Sequence, residues 1–492
     1  MCDVSYTFSS RRILLNKFTK IRYLEGSEKE AFIGKEHIIQ DINKHIFEEV
    51  EGDFIDINSD LPGPSLDELN KLSCVEVVFT LMDLKCAWSV IYYNSKLGKV
   101  FVGRDIFGRK SLLFSSNSSS ITISYLGRPT TSKWYELPYG QVSVIDVNEM
   151  FSTLHFCSYL DEYPHGVDRE WESLFTTVHR QTSNIKHNLT TVSRLISPSM
   201  STDKLCDHLI LAIKSLLPPI IDSVGVCFSG GVDSLLITHL LLSILQSFRP
   251  VFLINVAFGD DPLFISRASD RARSIEAYSF LKERFPQHDI HLILVDVSRS
   301  SLQSARSLII PLSTRPSTTV LDESIAAVLH FAFRGEGIDF DTKEKTRCIS
   351  SLRFMGSGAD ELFAGYARHR NRYERDGNSS GIAEECETEL RRLGWRNGGR
   401  DARVALINGV EIKSPFLHDD LVAWANGINM EDKADLSLPR GIGEKKIIRE
   451  CLRSLNAPCC YPKQAMQFGS GIVKLENVKN QKGSHLSAHL HE

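Results

Sequence analysis

Residues 224–245 constrain the fold more than any other stretch. They read Val-Gly-Val-Cys-Phe, then Ser229-Gly230-Gly231-Val232-Asp233-Ser234, then Leu-Leu-Ile-Thr-His-Leu-Leu-Leu-Ser-Ile-Leu. The first piece is short, apolar and β-branched, which predicts a buried strand. The last is a run of helix formers. The two glycines between them permit a sharp turn and close approach of backbone to a ligand. The helix then begins with free N–H groups and the positive end of its dipole facing that ligand, a geometry suited to phosphate. The hydroxyls of Ser229 and Ser234 add donors, and Asp233 can hold a Mg2+ that neutralises phosphate charge. No Lys follows the glycines, so this is not the Gly-Lys-Ser/Thr loop of kinases and GTPases. The plain alternative, a glycine turn ahead of a helix, does not account for six specified positions in one strand–turn–helix context.

Composition narrows the class. A chain of 492 residues has room for two or three domains. Hydrophobic content of 42% and charged content of 24% are those of a soluble globular protein. A net charge of −4 argues against general nucleic-acid binding. The 11 cysteines, odd in number and scattered, form no disulfide framework and point to a reducing, cytoplasmic setting. No Cys-x-x-Cys pair is present, which weakens a zinc reading. No signal peptide opens the chain, and the longest apolar run, within 235–245, is too short to cross a bilayer. The sequon Asn188-Leu-Thr190 has no meaning without secretion.

Along the chain, the first 150 residues are expected to be rich in short strands, at 75–81, 87–93, 100–102, 111–114, 121–125 and 142–145. Gly103-Arg104-Asp105-Ile106-Phe107-Gly108-Arg109-Lys110-Ser111-Leu112 reads as a hairpin with a salt-bridged charged turn. Residues 151–200 lose apolar periodicity and read as a linker, most clearly at 190–201. From 201 to 475 strand and helix alternate. A helix is expected from about Asp203, capped by Ser201 or Thr202, and another over 269–285, capped by Ser269 or Asp270. Strands are expected at 251–258 and 291–295, which implies a parallel sheet with helices on both faces. Helices dominate from Ile325. The polar end, 476–492, reads as a disordered tail whose His485, His489 and His491 need no metal.

These motifs resemble two nested families. Ser229–Ser234 looks like the pyrophosphate loop of the ATP pyrophosphatase superfamily, which cuts ATP to AMP and pyrophosphate while adenylating a substrate. Gly356-Ser357-Gly358-Ala359-Asp360-Glu361-Leu362-Phe363-Ala364-Gly365-Tyr366 is similar to the Gly-Glu-Gly-Ala-Asp-Glu-x-x-x-Gly-Tyr signature of asparagine synthetases. Ser414-Pro415-Phe416-Leu417 resembles their Val-Pro-Phe-Leu-Asp, and Glu444-Lys445-Lys446-Ile447-Ile448-Arg449 their Glu-Lys-x-x-Leu-Arg. Residues 319–325, 399–404, 438–445, 462–470 and 103–113 extend the likeness. The resemblance implies an N-terminal, α+β glutaminase domain of the N-terminal-nucleophile type, at 1–150. It implies a C-terminal α/β synthetase domain with a parallel sheet, at 201–475. It implies ATP and Mg2+ as cofactors, and aspartate with glutamine or free ammonia as substrates. Carried over residue by residue, it makes Cys2 the glutaminase nucleophile once Met1 is removed. Lys445 and Asp360 become catalytic, with Asp233 and Asp360 as metal ligands. Ser229, Gly230, Gly231, Val232, Asp233, Ser234, Val256, Gly356, Ser357 and Gly358 become ATP contacts. A free α-amine beside the Cys2 thiol can serve as its base.

The chain departs from the pattern in both halves. Where such families begin Met-Cys-Gly-Ile, this one has Cys2-Asp3-Val4, and the charge of Asp3 disfavours a thiolate. The Arg-Gly-Pro-Asp motif that grips glutamine is missing, and Asn-Gly-Glu-Ile-Phe survives only as Asn43-Lys44-His45-Ile46-Phe47. The first acid of Gly-Glu-Gly-Ala-Asp-Glu is Ser357, which cannot take a proton near neutral pH. Two expectations follow: an asparagine-forming ligase with a degenerate glutaminase, or a nucleotide-binding protein of the same fold without turnover. Oligomeric state and protein partners are not legible.

Overall fold

The computed structural model describes residues 4–9, 12–17, 46–49, 53–116, 120–127, 133–146, 154–158, 176–177 and 202–476. Cys2, Asp3, Asn43-Lys44-His45, the stretch 190–201 and the tail with its three histidines lie outside them. The chain divides into two compact units. One takes Met1–Gln181, Leu312–Ser317 and Gly394–Gly409; the other takes Thr182–Pro311, Thr318–Leu393 and Val410–Glu492. Composition drew one domain over 201–475, but two short pieces of that stretch group with the first unit.

The first unit holds two six-stranded sheets. In one, the order is Ile46–Glu49, Arg12–Lys17, Val4–Ser9, Ser120–Ser124, Leu113–Ser116, Tyr135–Glu136. In the other it is Thr176–Thr177, Leu154–Ser158, Gln141–Asp146, Lys99–Arg104, Trp88–Asn94, Phe54–Ser59. Strand alternation gives the second sheet two apolar faces. Ile91, Val100 and Val102 pack with Phe114, Ile121 and Ile123 of the first sheet. Val90, Tyr92 and Phe101 pack with Val77, Val78 and Leu81 beneath.

Three expectations fail here. Residues 75–81 are not a strand but the helix Cys74–Met82. Its apolar run hid a capping box: Ser73 accepts from the Glu76 N–H, and the Glu76 carboxylate accepts from the Ser73 N–H at 2.8 Å. Residues 103–112 are not a hairpin, because Lys99–Arg104 and Leu113–Ser116 belong to different sheets. The intervening loop crosses between them and is buried, and its expected Arg109–Asp105 ion pair forms at 2.8 Å. The stretch read as linker contains Leu154–Ser158, which pairs antiparallel with Gln141–Asp146; five residues are too few to show periodicity. Helices dominate after Ile325, as expected, but four short strands stand among them: Glu336–Asp339, Lys345–Arg347, Leu352–Phe354 and Glu411–Lys413, of three or four residues each.

Those short strands complete the seven-stranded sheet of the second unit. Its order is Lys345–Arg347, Glu336–Asp339, Ile290–Val297, Val251–Phe258, Val224–Cys227, Leu352–Phe354, Glu411–Lys413. The last five run parallel, as alternation of strand and helix predicts. Numbered along the chain, these five stand in the order 3-2-1-4-5. Strand order therefore reverses between Val224–Cys227 and Leu352–Phe354, and open parallel sheets bind ligands beyond the carboxyl ends of the strands at such a reversal. The helix Val232–Ile244 is apolar on every side, as a helix enclosed by its neighbours must be. Its neighbour Ser269–Arg284 is capped at Ala268 without a side-chain bond, so neither Ser269 nor Asp270 is the cap. Thr202 opens the helix Thr202–Leu216. Among the described residues no helix is long and apolar enough to cross a membrane.

Candidate active site

Two loops leave the sheet at the reversal. The first, Ser229–Ser234 in motif, turns at Gly230, whose φ of +68° suits glycine. A Cβ there would also lie 2.3–2.5 Å from the backbone of Arg273 and Ser274, so Gly230 is required by packing as well as by conformation. Gly231 is the helix N-cap and makes no side-chain cap bond. Its N–H donates to Ser229 Oγ at 3.2 Å, and Ser234 Oγ donates to its carbonyl at 3.1 Å. Val232 and Asp233 stand in the first helical turn. Val256 is buried near the C-terminal end of the adjacent strand.

The second loop follows Leu352–Phe354. Gly356 packs directly on the first loop: a Cβ there would lie 2.8 Å from Asp233 Cβ. Gly358 caps the short helix Ala359–Leu362 with a φ of +97°, pressed against Leu417 of the Pro-Phe-Leu motif. The helix carries Asp360 in its first turn. Gly365 leaves room for Asp360 and Lys445 to meet, since a Cβ there would fall 2.0 Å from Asp360 Oδ1 and 2.3 Å from Lys445 Cε.

Lys445 joins the two loops. It precedes the helix Lys446–Ser454 with a φ of +54°, and its N–H donates to the Phe363 carbonyl at 3.0 Å. Its ammonium is buried, 2.6 Å from Asp233 Oδ2 and 2.7 Å from Asp360 Oδ1. Asp233 Oδ1 is a buried carboxylate oxygen without a hydrogen bond, whereas Asp360 Oδ1 is held by the Lys445 ammonium. The left-handed backbone at Lys445 is uncommon for a long side chain and costs of order 1 kcal/mol, the kind of strain that collects at functional sites.

Sequence reasoning missed three members. Lys463 donates to Asp360 Oδ2, so Asp360 sits between two ammonium groups. Burial would raise the Asp360 carboxyl, but Lys445 and Lys463 outweigh it and hold it well below the usual carboxylate range. Burial would lower Lys463, but Asp360 and Asp233 outweigh it and raise it. The sequence signal for it is Pro462-Lys463, which opens the family-like stretch 462–470. Glu361, beside Asp360, accepts from Tyr366 Oη at 2.6 Å; burial and the Asp360 charge push it up to about 7. Asp270 is pushed up to about 6 by burial, against the pull of Arg273 and Lys463, and Gly469 leaves room for its carboxylate. The structure thus brings Ser229, Gly230, Gly231, Asp233, Ser234, Gly356, Asp360 and Lys445 into one contact network. Cys2 lies outside the described residues.

The sheet thus reverses between two glycine loops whose acids, Asp233 and Asp360, are bridged by Lys445, and comparison with known proteins supplies the family. No family model matches the chain. The chain is a relative of the asparagine synthetase domain-containing proteins. It is 27% identical to asparagine synthetase domain-containing protein 1 of Homo sapiens, over 83% of this chain and 80% of that protein. It is 30% identical to an asparagine synthetase domain-containing protein of Drosophila melanogaster over 64% of this chain and 54% of that one, and 27% identical to one of Saccharomyces cerevisiae over 83% and 75%. Among solved structures, the glutamine phosphoribosylpyrophosphate amidotransferase of B. subtilis, complexed with ADP and GMP, aligns with 58% of this chain and 63% of its own. Identity there is 10% and the TM-score 0.17, too low to bear on fold or function.

Proposed function

We propose that this chain is an ATP-dependent ligase of the asparagine synthetase kind, activating the side-chain carboxylate of aspartate and amidating it with ammonia to give asparagine, AMP and pyrophosphate. The observation that carries the reading is the Lys445 bridge between Asp233 and Asp360, each on its own switch-point loop. Mg·ATP would supply the adenylyl group and the pyrophosphate leaving group. Among the described residues no three His, Cys, Asp or Glu side chains stand at metal-binding spacing. Mg2+ does not need them, because it draws most ligands from phosphate and water and takes one or two carboxylates from protein. The hydrogen-bond-free Oδ1 of Asp233 fits that role, and Asp360, whose oxygens face Lys445 and Lys463, is proposed as the second ligand. The Gly230-Gly231 turn would receive phosphate on backbone N–H groups at the start of a thirteen-residue helix. Lys445 and Lys463 would hold positive charge where the leaving group gathers negative charge, a service usually worth about 10²–10³ in rate. Val256, Gly356, Ser357 and Gly358 complete the proposed nucleotide contacts.

The first unit is proposed to be a degenerate glutaminase of the N-terminal-nucleophile type, with Cys2 as the nucleophile retained in name and Asp3 beside it. Ser357 favours a second reading, a nucleotide-binding protein without turnover. Aspartate-dependent pyrophosphate release from Mg·ATP separates the two. Release abolished by Asp233→Ala supports the ligase; nucleotide binding by calorimetry with no release at any aspartate concentration supports the second reading.

A further inference from the structure

Cys459 and Cys460 stand next to each other on the segment that follows the helix Lys446–Ser454, with their Sγ atoms 3.9 Å apart. Cys460 is exposed and Cys459 buried. Both line an open cleft of about 410 Å³ with Glu276, Arg453, Asn456 and Tyr461. The proposed ligase chemistry uses neither thiol. The same few residues nevertheless anchor the candidate site. The Cys459 carbonyl accepts from Arg449, whose Nε donates at 2.7 Å to the carbonyl of Glu444, the residue before Lys445. Tyr461 donates to Glu276, and its ring lies 5.3 Å from the Arg273 guanidinium. Three residues past Cys460, Lys463 holds Asp360.

We propose that Cys459 and Cys460 are a thiol-redox modification site, a vicinal dithiol that closes to a disulfide by exchange with a low-molecular-weight disulfide and in closing draws Lys463 off Asp360. The exposed Cys460 thiolate attacks one sulfur of the small disulfide and expels the other as thiolate. The Cys459 thiolate then attacks Cys460 Sγ and expels the second. Two protein S–H bonds and one small-molecule S–S bond break; one protein S–S bond and two small thiols form. The chain loses two electrons and two protons, and the small disulfide takes them up. Burial raises the Cys459 thiol and the Cys460 charge adds to it, while Arg453 and Arg449 oppose both. The first exchange removes the Cys460 charge, so it prepares the second.

Geometry couples this chemistry to the site. The sulfurs must approach from 3.9 Å to about 2.05 Å. The peptide holds adjacent Cα atoms about 3.8 Å apart, below the usual disulfide span of about 4.4–6.8 Å, so the ring closes only by rotation about the backbone bonds on either side of the Cys459–Cys460 peptide, which reorients its plane. That rotation turns the Cys459 carbonyl away from Arg449 and moves the short tether to Lys463. Strained, exposed disulfides are the easily reduced ones, which makes the step reversible by small thiols.

The test uses the full chain and reads neither nucleotide nor turnover, so its outcome is separate from that of the proposed ligase reaction. Protein is equilibrated with oxidised glutathione, remaining thiols are alkylated, and peptides are read by mass spectrometry. The peptide carrying Cys459 and Cys460 is expected to lose two hydrogens and resist alkylation, with dithiothreitol restoring both properties. Acylation of Lys463 by an amine-reactive reagent is expected to rise several-fold in the oxidised protein and to stay at the reduced level in Cys460→Ser. A stable glutathione adduct on Cys460, or free alkylation of both thiols, overturns the dithiol. A disulfide that leaves Lys463 acylation unchanged overturns the coupling.

Discussion

Lys445 poses the sharpest question at the scale of one residue. Its ammonium is 1% exposed and faces two carboxylates from different loops. Buried ion pairs gain little over apolar packing, yet removing one partner is costly because the remaining charge stays buried. Here removal leaves Asp233 and Asp360 as neighbouring like charges, with Lys463 touching only Asp360. Lys445→Met is therefore expected to lower aspartate-dependent pyrophosphate release by about 10²–10³. Release within a factor of a few of the parent would remove Lys445 from the proposed chemistry. Lys433 makes the opposite case. It is fully buried beside Cys386, its Nζ has no hydrogen bond, and burial pushes it down to about 8. The thiol beside it, Cys386, is pushed up to about 12 by burial, and the Glu387 charge pulls Lys433 only partly back. Between pH 8 and 10.5 the unfolded lysine holds a proton that the folded one has lost, so stability rises with pH across that window. Lys433→Met should raise stability at pH 7 by up to about 3 kcal/mol and flatten the rise, as read by urea unfolding at pH 7 and 9.5. An unchanged slope would mean that Lys433 is not the group that titrates.

At the scale of elements, strands were legible in both units: those expected at 87–93, 100–102, 111–114, 121–125 and 142–145 fall on Trp88–Asn94, Lys99–Arg104, Leu113–Ser116, Ser120–Ser124 and Gln141–Asp146. The strand Val251–Phe258 and the helix Val232–Ile244 follow from runs of one residue class bounded by turns, and long periodic runs resist ambiguity. The strands of three or four residues after Gly335 are too short to carry a period, so half of the switch point was visible only through motifs. The Lys445–Asp233 and Lys463–Asp360 contacts span 212 and 103 residues, a separation no local pattern encodes. The same holds for the loop at 103–112. Its Arg104 reads as turn charge, but it is fully buried and its Nη1 lies 2.8 Å from Glu136 Oε2; Arg403 Nη1 lies 2.6 Å from Glu136 Oε1. Arg403 also donates to the Ser313 carbonyl at 2.8 Å and to Ser111 Oγ at 3.1 Å, which explains why two short late segments group with this unit. One carboxylate thus satisfies two buried guanidinium groups. Glu136→Gln removes the charge and keeps the shape. It should cost about 3–5 kcal/mol, the usual result of stranding buried charges, measured as a lower urea midpoint with an unchanged slope. A cost below about 1 kcal/mol would show that the carbonyl partners alone hold the arginines.

At the scale of the whole molecule the proposed reaction joins nitrogen supply to carboxylate activation, and the sequence departs from its family in both. Asp3 beside Cys2 and the missing glutamine-gripping motif predict that ammonium chloride supports turnover better than glutamine does. A glutamine preference abolished by Cys2→Ala would refute that. Ser357 affects the second step. Activation needs phosphates held in line, a metal and positive charge at the leaving group, all within reach of residues 229–234, Asp360, Lys445 and Lys463. Ammonia attack instead produces a positively charged nitrogen that must lose a proton before the amide is released. A carboxylate close to that nitrogen stabilises the charge and takes the proton, typically worth about 10²–10⁴ in rate. Ser357 offers neither charge nor base. Glu361, although pushed up to about 7, is engaged by Tyr366 and buried beside Asp360. Activation should therefore outrun amidation, and water should intercept part of the activated aspartate. The measurable sign is more pyrophosphate released than asparagine formed. Ser357→Glu should move that ratio toward one while leaving ATP affinity unchanged by calorimetry. A parent ratio already at one, at an ordinary enzymatic rate, would mean that some other group takes the proton, with Glu361 the first to test by Glu361→Gln.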